Sequence, residues 1–102
     1  SYSVTGVQTC ALPIFHQDWS IDSDDYKGIV EIYLSAKWKP EEVKSVTIGL
    51  REIAEQARIE EYSVETMITK FHCYYDPSFD NLSIPDWLHD VADLIDMRFK
   101  PN

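Results

Sequence analysis

The chain has 102 residues, 18 acidic and 9 basic, for a formal net charge of −9. That length holds one domain with a modest core, and no apolar run approaches the roughly 20 residues of a membrane span. The acidic balance argues against binding to nucleic acid or anionic membranes and favours a basic partner.

The first fourteen residues stand apart from the rest. Ser1 to Ile14 carries no charge and shows neither helical nor strand periodicity. Within it Val4 to Ile14, VTGVQTCALPI, resembles the in-frame translation of a common short-read sequencing adapter. Residues 1–14 are therefore expected to be an artefactual, disordered segment, followed by a single domain at 15–102. No basic stretch precedes an apolar one, as a secretory signal would require. Cys10 falls in this segment, which leaves Cys73 as the one native cysteine. A single thiol and no export signal point to the reducing cytoplasm.

Ser23 to Lys37 reads as an amphipathic helix, with Ser23 as N-cap and Tyr26, Ile29, Val30, Tyr33 and Leu34 on one face. Gly28 is a local cost in it. Pro40, Glu41 and Glu42 open a second helix with an inner stripe of Val43, Val46, Thr47, Leu50, Ile53, Ala54 and Ala57. Ser63 caps a third, carrying Val64, Met67, Ile68 and Phe71 and ending near Cys73. Tyr74 to Asn81, YYDPSFDN, is a turn-rich loop. Ser83, Pro85 and Asp86 then start a last helix that buries Trp87, Leu88, Val91, Ala92, Leu94, Ile95 and Phe99. No strand alternation and no repeat appears. The pattern predicts an all-α bundle of at least four helices.

Chemistry-bearing constellations are thin. His16 with Asp18, or His89 with Asp93, supplies two metal ligands where zinc needs three or four, and neither HExxH nor CxxC is present. His72 and Cys73 are neighbours, which on a helix point about 100° apart, poor geometry for a thiol dyad. Three glycines, Gly6, Gly28 and Gly49, cannot build a phosphate loop. No catalytic residue, metal site or cofactor is expected.

The charge is clustered. Asp18, Asp22, Asp24 and Asp25 fall together with no base among them, and Asp76, Asp80, Asp86, Asp90, Asp93 and Asp96 all precede the next base, Arg98. Trp19, Tyr26, Tyr74, Tyr75, Phe79 and Trp87 interleave with these acids, and any that is exposed is a candidate binding anchor. A solvated face explains the acids without a partner. A cationic partner explains them through complementary charge.

FHQDW at Phe15 to Trp19, CYYDP at Cys73 to Pro77, and the Leu82, Ser83, Trp87, Leu88 arrangement resemble an immunity protein family of bacterial contact-dependent growth inhibition systems. The likeness runs from Phe15 to about Phe99. It implies a helical, cytosolic, non-catalytic protein that binds and blocks a toxin domain delivered by a neighbouring cell, in some related systems a ribonuclease. Two departures stand out: the helical lead-in usual before FHQDW is replaced by the adapter-like text, which implies a missing first helix, and His72 occupies a position where the family commonly has glycine. The candidate toxin contacts are Asp18, Asp22, Asp24, Asp25, Tyr74, Tyr75, Asp76 and Asp80. The motif residues Phe15, His16, Trp19, Cys73, Pro77, Trp87 and Leu88 are expected to be structural. Two rival readings are an acidic adaptor for a basic intracellular protein, and a metal-dependent hydrolase using His16, His72 and His89.

Overall fold

Among the described residues every regular element is helical, as the sequence periodicity predicts. The computed structural model describes residues 12–99. A 3-10 turn at Leu12–Phe15 and a short helix α1 at Trp19–Asp22 lead into α2 (Tyr26–Leu34), α3 (Pro40–Glu60) and α4 (Val64–Phe71). A second 3-10 turn at Pro77–Asp80 and the last helix α5 (Ile84–Arg98) follow.

Helix α5 lies at the centre because its apolar side is broad: Trp87, Leu88, Val91, Ala92, Leu94 and Ile95 are all buried. Each large side chain among them contributes roughly 1.5–3 kcal/mol by leaving water. Helix α3 runs antiparallel to α5. Its Arg51 meets Asp93 at 2.8 Å and Asp96 at 3.1 Å, and Glu55 faces His89 at 3.4 Å. Helix α2 runs parallel to α5 on the other side, tied by Tyr26 to Asp90 and by Glu31 to Arg98. Val43, Val46, Thr47, Leu50, Ala54 and Ala57 of α3 are buried as predicted, while Ile53 is only half-buried. In α4, Met67 is buried, and Phe71 packs partly exposed against the core.

The helix ends show where local chemistry decided the boundaries. Ser83 and Ser63 cap as expected, accepting the N–H of Asp86 at 3.2 Å and of Thr66 at 3.1 Å. Helix α2 departs from expectation. Its cap is Asp25, whose Oδ1 accepts from Gly28 N–H at 2.9 Å, while Ser23 Oγ accepts only weakly from Asp25 N–H at 3.4 Å. It stops at Leu34 rather than Lys37, and Trp38 folds back, its Nε1 donating to the Tyr33 carbonyl at 2.8 Å. Gly28 is more than a local cost, because a Cβ there would sit 1.8 Å from Ser23 Oγ.

The expectation of disorder for residues 1–14 does not hold for Leu12, Pro13 and Ile14; residues 1–11 lie outside the described residues. Leu12 and Phe15 are fully buried and Ile14 packs partly against the core. Side chains at i and i+3 of a 3-10 turn eclipse one another, so a turn that seats Phe15 carries Leu12 inward with it. The packed core thus includes Leu12, upstream of Phe15.

His72 ends α4 with φ 56°, in the left-handed region, its N–H bonded back to the Ile68 carbonyl. An L-residue there costs about 1–2 kcal/mol, which glycine avoids at the expense of roughly 0.5–1 kcal/mol of chain entropy. His72→Gly is therefore expected to stabilise the fold by about 0.5–1 kcal/mol and to raise the melting temperature by a few degrees. An unchanged or lower midpoint in a thermal melt would refute this account.

Candidate functional site

The three motif blocks, far apart in sequence, meet at one aromatic cluster. Phe15 packs edge-on against Trp87 at 5.0 Å and against Tyr75 at 5.6 Å between ring centroids. Tyr75 lies flat on Trp87, 5.1 Å away with 8° between the planes. Trp19 covers Tyr75 at 4.8 Å, and Tyr26 closes the cluster against Tyr75 and Trp87. A backbone bond from Tyr74 N–H to the Phe15 carbonyl, 2.7 Å, joins the first block to the second. Phe15, Cys73, Pro77, Trp87 and Leu88 are buried and Trp19 is half-buried, so these motif residues pack. His16 is exposed but engaged: Nδ1 accepts from the Asp18 N–H at 3.0 Å, and Nε2 faces the Asp22 carboxylate at 3.5 Å. That pattern fixes the tautomer and ties α1 to the segment before it.

The cluster brings the first acidic block to the same end of the bundle as Asp80 and Asp90 of the second, while Asp93 and Asp96 lie against Arg51 of α3. Tyr26 donates its hydroxyl to Asp90 and Tyr75 donates to Asp80. Both tyrosines have pKa values pushed well above 10, first by burial, then by the bonded carboxylate, with the charge of Asp25 adding to each. Asp25, Asp80 and Asp90 therefore converge on two neutral hydroxyls, and Asp18, Asp22 and Asp24 are exposed on the segment that leads to Asp25.

Not every predicted contact is available. Tyr75 is 3 % exposed and belongs to the core, so it leaves the candidate set. Residues 72–76 have no helical backbone, and burial alternates along them. Cys73 and Tyr75 accordingly face in, while Tyr74 faces out with 38 % exposure. Asp25 is occupied as a cap and Asp80 by Tyr75. Asp76 Oδ1 accepts from Ser78 N–H at 3.0 Å and Ser78 Oγ at 2.8 Å. Asp18, Asp22, Asp24 and Tyr74 are the candidates most open to a partner. Two large apolar side chains join them, Ile21 at 80 % and Phe79 at 78 % exposure. Ile21 had no sequence signal, because the four-residue α1 is too short to show a period. Phe79 had a weak one, a ring between two turn-forming aspartates.

Little else on the surface offers chemistry. A cavity of about 430 Å³ at the far end of α2 is lined by Leu34, Trp38 and Phe99 with Glu31, Lys37 and Arg98, and its Glu31 and Arg98 are paired with each other. Among the described residues no three His, Cys, Asp or Glu side chains converge as metal ligands. His16 and His89 face different acids, Asp22 and Glu55. No helix among the described residues is long and apolar enough to cross a membrane.

The family comparison fits this arrangement. Residues 13–95 match the family described as CdiI immunity protein, a span that includes all three motif blocks. The chain belongs to the CdiI immunity protein family. It is, with that family, a non-catalytic protein. No curated protein and no solved structure matches it significantly. Within the family frame the aromatic cluster gives the motifs a physical role: it is the junction that holds α1, α2, the 77–80 turn and α5 together.

Proposed function

We propose that this CdiI family protein neutralises a cognate toxin domain by binding it through the acidic end of the bundle, in the cytoplasm, and that the toxin is a basic nuclease. The observation that carries this reading is the pairing of two acid blocks across one aromatic cluster, with no Lys or Arg between Phe15 and Tyr26 or between Phe71 and Met97. Concentrating like charge on one side of a small domain works against folding, and a cationic partner offsets that cost on binding. A nuclease needs a basic surface to hold its polyanionic substrate, so an acidic inhibitor complements the face the toxin cannot discard. Complementary fields also raise the on-rate, which suits a protein that must intercept an arriving toxin.

Titration of the protein against the toxin domain encoded beside it tests the reading. Nanomolar affinity is expected at low ionic strength, weakening at least tenfold as salt is raised through the physiological range, since exposed pairs are screened over about 8–10 Å. Absence of binding, or binding indifferent to salt, would remove the electrostatic reading.

A further inference from the structure

The Pro77–Asp80 turn holds an aromatic ring out into solvent on an unusually well-anchored backbone. Single exposed apolar residues are ordinary on protein surfaces, so the 78 % exposure of Phe79 means little alone. Its support is what sets it apart. Pro77 is buried, Phe79 N–H bonds the Asp76 carbonyl at 3.2 Å, and Asp76 Oδ1 takes two bonds from Ser78. Asn81 closes the turn with φ 59° and returns its N–H to the Ser78 carbonyl at 3.1 Å. Leu82 N–H reaches the Pro77 carbonyl at 3.2 Å, and Asp80 is held by the core residue Tyr75. The exposed large apolar side chains Ile21, Ile32, Ile48, Ile59 and Met97 are aliphatic and sit on α-helices, whereas Phe79 is aromatic and stands on the 3-10 turn between Asp76 and Asp80.

We propose that Phe79 is the anchor of the toxin interface, its ring entering an apolar pocket on the basic face of the toxin while Asp76, Asp80 and Tyr74 form the polar surround. This rests on the toxin-binding reading above and adds the position of the energetic centre. Interface energy concentrates in a few aromatic residues ringed by polar contacts that keep water out. With the backbone of the turn fixed before binding, only the two side-chain torsions of Phe79 are left to be ordered when the ring is enclosed. The charge is right for the occupant, because Asp76, Asp80 and Asp86 lie within seven residues of Phe79 and the segment 71–97 has no Lys or Arg, while Asp93 and Asp96 farther along are taken by Arg51.

The test compares wild type, Phe79→Ala and Phe79→Trp against the adjacent-gene toxin domain, following association and dissociation rates at two salt concentrations. Phe79→Ala is expected to weaken binding about thirtyfold, chiefly through faster dissociation, with the salt dependence unchanged because no charge is altered. Phe79→Trp should retain most of the affinity. Thermal melts should coincide for all three, since the ring is outside the core. Wild-type binding with Phe79→Ala equally tight would overturn the anchor while leaving toxin binding intact. No binding by the wild type would instead overturn the toxin-binding reading and the anchor with it.

Discussion

Trp87→Ala is expected to destabilise the domain by about 3–5 kcal/mol, the range for deleting a large buried ring. Trp87 is 1 % exposed and its ring touches Phe15, Tyr26 and Tyr75, which belong to three separate segments. Losing it opens a cavity at the place where α2, α5 and both loop segments join, so neighbours cannot collapse into the space without moving whole elements. Small domains have total stabilities of about 5–15 kcal/mol, so the variant should lose a large share of its stability and unfold at clearly lower urea than the wild type. Trp87→Phe should cost less than half as much. The indole Nε1–H is enclosed with no acceptor among the described residues, and an unmet buried donor costs about 1–3 kcal/mol that phenylalanine does not incur. Urea unfolding of the two variants checks both statements. A loss below about 1 kcal/mol for the alanine variant would mean that the cluster is not the junction of the fold.

The helices were legible wherever the apolar stripe ran for two turns or more. α3 and α5 follow their sequence pattern almost residue for residue, and Ser63 and Ser83 cap where short polar side chains precede an apolar run. Legibility failed where neighbouring residues offered equivalent chemistry. Ser23 and Asp25 are both good caps, and the choice fell to the one three residues before Gly28, which can approach its N–H. Tyr74 and Tyr75 are chemically identical, yet one faces out and the other is buried against Trp87; the choice depends on where Trp87 lies, which local sequence does not contain. Leu12 was discounted because its surrounding text looked foreign. Packing depends only on an apolar side chain at the right spacing, and Leu12 stands three residues before Phe15. For the candidate site, the acidic blocks were plain in the sequence, but their meeting at one end came from ring contacts between segments some sixty residues apart.

Charge reversal at Asp18, Asp22 and Asp24 together should weaken toxin binding about a hundredfold at low salt. Each exposed ion pair is worth roughly 0.2–1 kcal/mol, reversal replaces attraction with repulsion, and three such changes sum to roughly 2–3 kcal/mol, where 1.4 kcal/mol is tenfold. The loss should fall mainly on association, because these carboxylates act over distance before contact is made. The three are chosen because the fold leans on them little: all are exposed, Asp18 makes no side-chain bond at the start of α1, neither Asp22 nor Asp24 caps a helix, and the Asp22–His16 contact at 3.5 Å is an exposed surface pair. Each Asp→Lys change adds two charges, so the net charge moves from −9 to −3 and self-repulsion falls. Asp25 is kept, since its carboxylate holds the start of α2 and its loss would cost about 0.5–2 kcal/mol of stability. Asp25→Ala alone therefore makes the converse control, with a lowered melting temperature and a small effect on affinity. Raising the salt should close the gap between wild type and the triple variant as the Debye length shrinks. If the triple variant bound within twofold of wild type at low salt, the α1 side of the acidic end would be outside the interface, and the contact would have to lie on the 77–80 turn and the helices beyond it.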